Sequence, residues 1–213
     1  MVSSDVLRTL ASEKDPDLDE AARIALADEG VRKKLLEGLV SKDEVYRYNC
    51  VKVLSLVSAE RPEVLYPEWD YLVGLLSSAN AYHRCSSLSI IADLTCVDTE
   101  GKFEDIFDQY FSLLDDPKVI VAIYLARAAG RIAQFKPRLR TTVLDRLLDV
   151  DQTHHAPGRK DLLKADIIAS VDEVFDDVND KDRVLAFVEE QLECSSPKTR
   201  KAAKAFLSRH SSG

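Results

Sequence analysis

A leucine that closes a helix-like segment is the feature that most constrains this chain, because it returns at a nearly fixed spacing. Successive occurrences lie 37, 38, 34 and 44 residues apart. A period of roughly 34 to 47 residues is typical of repeated helical pairs, in which each pair buries its apolar face against the next. The sequence therefore predicts stacked helix pairs. The closing leucines are Leu39, Leu76, Leu114, Leu148 and Leu192.

The helix after each closing leucine supplies a second, independent register. A basic or small residue is followed three positions later by a small or apolar one, and four positions beyond that by an apolar one. This spacing places the three side chains on one face of a helix. The triplets are Arg47-Cys50-Leu54, Arg84-Ser87-Ile91, Ala122-Leu125-Ala129, Lys164-Ile167-Val171 and Arg200-Ala203-Leu207.

The stretch from Asp115 to Ala133 shows the repeat most clearly. Asp116 is an acceptor for the free amides of a helix start, and Pro117 suits the first helical position because its missing N–H costs nothing there. We therefore expect a helix to begin at Pro117. Gly130 lies deep in this helix at a propensity cost of about 1 kcal/mol, so we expect close packing against a neighbouring helix.

Other helix starts follow from local signals. Ser41 and Glu44 have the spacing of a capping box before a helix from about Lys42, and Pro62 and Pro137 are expected to open second helices. Residues 149–160 are expected to be a longer linker. We predict a single domain, 1–213, of helix pairs at about 17–40, 42–76, 80–114, 116–148 and 158–192, with a terminal capping helix at 196–209 that begins at Ser196-Pro197.

These residues resemble the HEAT and armadillo-like α-solenoid repeat family, most clearly in DDPKVIVAIYLARAAGRIA and in SSPKTRKAAKAFL. The resemblance implies an all-α, right-handed solenoid of about five helical pairs, whose second helices line a concave side. Two units depart from the pattern: one has Ala122 where the family usually has arginine, and the Lys164 unit follows an atypical linker. We expect these two repeats to be irregular. Such repeats serve many unrelated roles, so the resemblance implies an architecture rather than an activity.

Composition narrows the functional class. The net charge of −8 opposes nonspecific attraction to a phosphate backbone. An acidic N-terminus without an apolar core, and the lack of an apolar run of about 18 residues, predict a cytoplasmic protein with no membrane span. The cysteines, Cys50, Cys85, Cys96 and Cys194, have no C-x-x-C pair and are expected to be free thiols in buried packing positions.

No spacing of residues requires catalysis, a metal or a cofactor. His154 and His155 are neighbours in the polar linker rather than ligands four apart on a helix, so we expect a solvated loop pair. The chain contains no G-x-S-x-G elbow, Walker loop or dinucleotide fingerprint. We therefore expect a non-enzymatic protein without a cofactor.

The second helices supply the candidate binding residues. Counting back from the closing leucines gives an acidic groove with a few aromatic contacts, which suits a protein or peptide partner and favours a basic one. Trp69 lies seven positions before Leu76 and is expected in the core. The candidate binding residues are Tyr66, Asp70, Glu104, Asp108, Phe111, Arg138, Asp145, Asp182 and Glu189.

Two basic clusters keep an alternative function open. DNA glycosylases of the alkylation-repair type are also built from HEAT-like repeats, and in that family a basic concave groove with aromatics and a carboxylate engages the lesion. Here the predicted groove is acidic and Trp69 is the one tryptophan, so a protein-binding scaffold or adaptor is the favoured prediction. Convergence of the clusters with a carboxylate in one groove would favour the enzyme. The clusters are Arg127, Arg131, Lys136, Arg138 and Arg140, and then Lys198, Arg200, Lys201, Lys204 and Arg209.

Overall fold

The computed structural model describes residues 2–12 and 14–210, with side chains from residue 6 onward. Within these ranges the chain is built from twelve α-helices and short 3-10 turns, without a strand. None of the helices in the described residues combines the length and the apolar character that crossing a bilayer requires. Backbone contacts divide the chain into two compact units, residues 1–102 (unit 1) and 103–213 (unit 2).

Each unit consists of helices that alternate as first and second members of pairs. Unit 1 holds α1 (Val2–Ser12), α2 (Leu18–Ala27), α3 (Glu29–Gly38), α4 (Glu44–Glu60), α5 (Trp69–Leu76) and α6 (Ala81–Leu94). Unit 2 holds α7 (Lys102–Ser112, of which all but the first residue belongs to this unit), α8 (Val119–Phe135), α9 (Arg140–Leu148), α10 (Pro157–Asp172), α11 (Lys181–Glu190) and α12 (Pro197–His210).

In unit 1 the core forms where α4 packs against α2, α3 and α6. Leu54 and Val57 of α4 and Leu72 of α5 are fully buried. Trp69 is 3% exposed, which confirms the prediction that it belongs to the core rather than to an interface.

In unit 2 the helix α8 packs closely on α10, and α10 packs on α12. A methyl group at Gly130 would lie 2.8 Å from the carbonyl oxygen of Ser170 and 2.3 Å from the Glu173 carboxylate. These separations are below van der Waals contact, so only glycine fits without a shift of α8 or α10. The predicted close packing at Gly130 is confirmed.

The arginines of the first-helix register cap preceding carbonyl groups. Arg47 donates to the carbonyl of Ser41 at 2.7 Å, Arg200 donates to that of Cys194 at 2.6 Å, and Arg84 donates to that of Ser78. Lys164 instead pairs with the Asp151 side chain at 2.8 Å, and Ala122 is buried without such a group. The two repeats predicted to be irregular therefore do lack the arginine cap.

The start of α8 differs from the prediction. The Asp116 carboxylate accepts the Lys118 amide at 2.7 Å, and this turn leaves Lys118 extended, so the helix begins at Val119 rather than at Pro117. The predicted start of the last helix is confirmed, because α12 begins at Pro197 and Ser196 Oγ accepts the Thr199 amide at 3.3 Å.

Other predicted helix starts are also displaced by local acceptors and prolines. The N-cap of α4 is Asp43, which accepts the Tyr46 amide at 3.0 Å, and Ser41 Oγ accepts the Asp43 amide, so Ser41 is not the capping residue. Pro62 and Pro137 each open a 3-10 turn, and α5 and α9 follow these turns. The predicted linker 149–160 is shorter, because it contains a 3-10 turn and α10 begins at Pro157.

Candidate functional site

The second helices of unit 2 are joined by a ladder of ion pairs. Arg146 of α9 lies 2.5 Å from Asp108 of α7. Arg183 of α11 pairs with Asp145 of α9 and lies 3.7 Å from Asp149. Asp108 and Asp145, both predicted as acidic contacts for a partner, are thus compensated by arginines of this same face.

Two further predicted residues of α7 have internal roles. Glu104 lies 3.0 Å from the Lys136 ammonium, which is itself buried. Phe111 is 3% exposed and stacks at 4.6 Å on Phe107, so the prediction that it faces solvent is wrong. The α7 sequence has four aromatic residues within nine positions, and three- and four-residue spacing turns all of them inward, since Phe103, Phe107, Tyr110 and Phe111 are all buried.

Three predicted residues of unit 2 remain open to solvent. Arg138, Asp182 and Glu189 are exposed, and none of them makes an ion pair within the described part of the chain. Their side chains are therefore available to a partner.

In unit 1 the two predicted residues separate into different environments. Tyr66 donates its hydroxyl to Asp98 at 2.7 Å and carries the Lys102 ammonium 4.8 Å above its ring, so it is half-buried and holds internal contacts. Asp70 is exposed on α5 and forms no ion pair among the described residues.

A shallow groove lies between α3 and α5 of unit 1. We call it the α3–α5 groove; its volume is about 380 Å³, and it is lined by Lys33, Leu36, Glu37, Val40, Glu68 and Tyr71. Val40 and Tyr71 are large apolar side chains that remain 45% and 37% exposed. The Tyr71 hydroxyl donates to the Leu36 carbonyl at 2.9 Å, which holds the ring along the groove.

Negative charge surrounds this groove. Burial, together with the nearby carboxylates of Glu37 and Glu68, raises the pKa of Tyr71 above its ordinary value. Lys33 pairs at 2.7 Å with Glu29 of its own helix, whereas Glu37 and Glu68 make no ion pair within the described ranges. The groove therefore combines exposed apolar area with two carboxylates that form no close ion pair among the described residues. The hydrogen bond to Glu29 raises the pKa of Lys33 most, and Lys33 lies near enough to Glu68 for the Glu68 charge to contribute to that rise.

The two basic clusters meet at one carboxylate, but they do so on the first helices of unit 2 and not on the second helices, where the groove was predicted. Arg127 and Lys198 both contact Asp166, at 2.9 Å each, on the first helices of unit 2. Arg209 lies 2.5 Å from Asp172, and Arg140 donates to the carbonyl groups of residues 133 and 177. Most of the clustered cations thus hold neighbouring elements together.

The histidines and cysteines have specific environments. His155 is buried, with Nε2 3.0 Å from the Leu114 carbonyl, so the prediction of a solvated pair is wrong for this residue, while exposed His154 pairs with Asp115. All four cysteines are free, as predicted, but Cys96 is exposed and Cys194 is half-buried, contrary to the expected burial. Across the described residues no group of three or more His, Cys, Asp or Glu side chains is arranged to hold a metal.

Sequence reasoning missed the residues that define both second-helix faces. Arg146 and Arg183 follow their carboxylate partners by 38 residues, so opposite charges spaced by one repeat were an available signal. Val40 and Tyr71 carry no comparable pattern, because their exposure depends on how α3 and α5 pack. Counting back from the closing leucines also passed over Glu37 and Glu68.

Solved structures of similar fold include a designed armadillo repeat protein and an engineered protein. A designed armadillo repeat protein shares 17% sequence identity, with 96% of this chain and 98% of that chain covered and a TM-score of 0.52. An engineered protein solved as a structural-genomics target shares 17% identity over 99% of both chains, with a TM-score of 0.53. Neither a protein-family model nor a curated protein sequence matches this chain. The fold is an all-α solenoid of HEAT and armadillo-like helical repeats, as the sequence predicted.

Proposed function

We propose that this protein is a non-enzymatic scaffold or adaptor that binds another protein, and that the α3–α5 groove of unit 1 receives a basic segment of that partner. The observation that carries the proposal is the coincidence of exposed Val40 and Tyr71 with Glu37 and Glu68, which form no ion pair among the described residues. Exposed apolar side chains rimmed by charge are typical of protein interaction sites.

The shape of the groove supports a polypeptide ligand rather than an enclosed small molecule. Small-molecule sites bury most of the ligand surface, whereas Val40 and Tyr71 are too exposed to enclose one. An apolar side chain of the partner would lie between them, and a flanking Lys or Arg would approach Glu37 or Glu68. Charge complementarity of this kind favours specificity and fast association.

A nucleic-acid ligand is the weaker alternative. Phosphate binding needs uncompensated cations on one surface, but Arg127, Lys198 and Arg209 are paired with carboxylates of unit 2. We also propose a cytoplasmic location, which is supported by the four free cysteines, because thiols remain reduced in that compartment.

Affinity capture from source lysate, at low and at high salt, tests the proposal when retained proteins and nucleic acids are both identified. The test variant is Glu37→Lys with Glu68→Lys. We expect the captured protein to bind this variant at least about tenfold more weakly in a direct titration, because both groove charges are reversed.

The matched control is Asp182→Lys with Glu189→Lys, which makes the same change in net charge at two exposed acids of unit 2. It is expected to retain wild-type affinity. Equal loss in both variants would assign binding to net charge and contradict the groove. Salt-sensitive retention of nucleic acid alone would replace the scaffold proposal with the nucleic-acid alternative.

A further inference from the structure

A second surface with the opposite charge lies on the first helices of unit 2. Three large apolar side chains are open to solvent there: Ile120 and Tyr124 of α8 are 40% and 36% exposed, and Leu162 of α10 is 39% exposed. We call these three residues the α8–α10 patch. Ile120 and Tyr124 are four positions apart and share a helix face, and α8 packs directly on α10.

The repeat register places Ile120 and Leu162 at equivalent positions of the neighbouring helices α8 and α10. Ile120 and Leu162 each precede the register residue of their helix, Ala122 or Lys164, by two positions. Side chains at equivalent positions of stacked helices form a row. The contact between Arg127 of α8 and Asp166 of α10, at 2.9 Å, joins the two helices one turn further along.

Two basic side chains flank the patch, although the protein as a whole carries a charge of −8. Lys118 directly precedes α8, and Arg159 lies in the first turn of α10, three positions before Leu162; both are exposed. Neither makes an ion pair among the described residues.

The carboxylates on the same helices are already engaged. Asp166 is contacted by both Arg127 and Lys198, and Asp172 is contacted by Arg209 and His210. Asp161 accepts hydrogen bonds from the amide and the hydroxyl of Ser195, which are neutral groups. Asp166 and Asp172 are therefore compensated by cations of neighbouring helices, whereas Lys118 and Arg159 stay outside any ion pair of the described residues.

We propose that the α8–α10 patch is a second docking surface, whose occupant is an acidic segment of another protein with apolar side chains spaced three or four residues apart. Ile120, Tyr124 and Leu162 would receive those side chains, and Lys118 and Arg159 would face the carboxylates. This surface suits an acidic protein better than a nucleic acid for two reasons. The apolar side chains add nothing to the binding of a phosphate backbone. Arg127 and Lys198, which would otherwise bind phosphate, are already paired with Asp166.

Selection of a random-peptide phage library on the full-length protein tests this proposal without presupposing the partner. We expect acidic peptides with helically spaced Leu, Ile or Phe to be enriched, and synthetic copies of them to bind Ile120→Ser with Leu162→Ser about tenfold more weakly. Phe135→Ser is the matched control, because Phe135 lies at the other end of α8 and is 39% exposed. Circular dichroism melts verify that all variants fold.

Charge variants give a second readout on the same peptides. Lys118→Glu with Arg159→Glu is expected to weaken binding and to flatten its salt dependence, whereas Arg138→Glu, at an exposed cation outside the patch, is expected to do neither. The proposal is overturned if no acidic peptide is enriched, or if the patch variant binds the selected peptides as well as wild type does. It is also overturned if a DNA duplex displaces them from the patch, or if sedimentation shows a homodimer that Ile120→Ser with Leu162→Ser dissociates.

Discussion

The second helices of the two units are built on the same repeat but leave different surfaces. In unit 2, α7, α9 and α11 are tied by the pairs Asp108–Arg146 and Asp145–Arg183, so acidic and basic groups compensate each other. In unit 1, the cation Lys33 pairs with Glu29 of its own helix instead. The α3–α5 groove therefore keeps Glu37 and Glu68 outside any close ion pair of the described residues, beside exposed Val40 and Tyr71.

This difference shows how a repeat fold separates structural from binding surfaces. A charged side chain that forms an ion pair with the next repeat contributes to the stacking of the helices. A charged side chain that forms no ion pair with the next repeat remains available to bind another molecule. The residue types are nearly the same in both units, and the spacing of the opposite charge distinguishes them.

The largest effect on stability is expected from glycines inside helices. Gly130→Ala should lower the free energy of unfolding by about 1–3 kcal/mol, because the new methyl group meets the Ser170 carbonyl at 2.8 Å. Gly74→Ala in unit 1 should raise it by up to about 1 kcal/mol, because no atom lies within 4 Å and alanine favours the helix. Urea unfolding measures both changes. A stabilising Gly130→Ala would mean that α8 and α10 are not in such close contact.

The next largest effect on stability comes from removing arginines. Arg47 is a nearly buried donor to a backbone carbonyl group, whereas Arg146 belongs to an exposed ion pair between second helices. Arg47→Ala should cost about 1–2 kcal/mol, since the Ser41 carbonyl loses its donor and the side chain is only 13% exposed. Arg146→Ala should cost at most about 1 kcal/mol, because both members of its pair are mostly exposed. Thermal melts test the order, and Arg200→Ala repeats the cap deletion in unit 2. Unchanged melting of Arg47→Ala and Arg200→Ala would contradict the repeat register.

Removing the ladder should make the second-helix face of unit 2 resemble that of unit 1. Arg146→Ala with Arg183→Ala frees Asp108 and Asp145, so a basic helical peptide of Lys and Leu should bind several-fold more tightly at low salt. Fluorescence anisotropy measures the change. Lys201→Ala with Lys204→Ala, an equal change in net charge, should leave affinity near the wild-type value, and an equal gain there would show that overall charge is responsible.

The smallest expected effect on stability is the loss of stability of unit 2 at acidic pH. Burial raises the pKa of Asp115, but the amide and ring of His154 lower it more, so the net pKa lies below the ordinary value of 3.8. A depressed carboxyl pKa gives stability that is present above the ordinary pKa and is lost as pH falls through the folded-state pKa. Asp115→Asn should flatten the acid limb of a plot of unfolding midpoint against pH. An unchanged limb would show that the pair with His154 contributes nothing to folding.

The reactivity of the cysteine thiols distinguishes a buried from an exposed position within unit 1. Burial raises the pKa of Cys50 to about 12, so its thiol should be labelled by maleimide only after unfolding, whereas exposed Cys96 should react in the native state. Mass spectrometry of tryptic peptides assigns the label. Fast native labelling of Cys50 would indicate local opening of α4.

The sequence supported the fold more strongly than it supported the site. Helices pair because the closing leucines and the Arg47, Arg84 and Arg200 register recur, and these signals are local and periodic. Boundaries were less accurate, because turns such as that of Asp116 onto Lys118 consume residues before the helix begins. At the candidate site, Asp70 was correctly assigned to the surface, whereas Phe111 was wrongly assigned, since counting along a helix does not define which side the next helix covers.

The amino-acid sequence by itself determined the helical-repeat class of this protein, because apolar periodicity and helix capping depend on neighbouring residues. The tertiary structure alone decided which charges are compensated and which apolar side chains stay exposed. Arg146 reaches Asp108, and Val40 and Tyr71 line one groove, only when helices pack at a defined separation. Compensation and exposure depend on distances between helices that a local pattern does not contain.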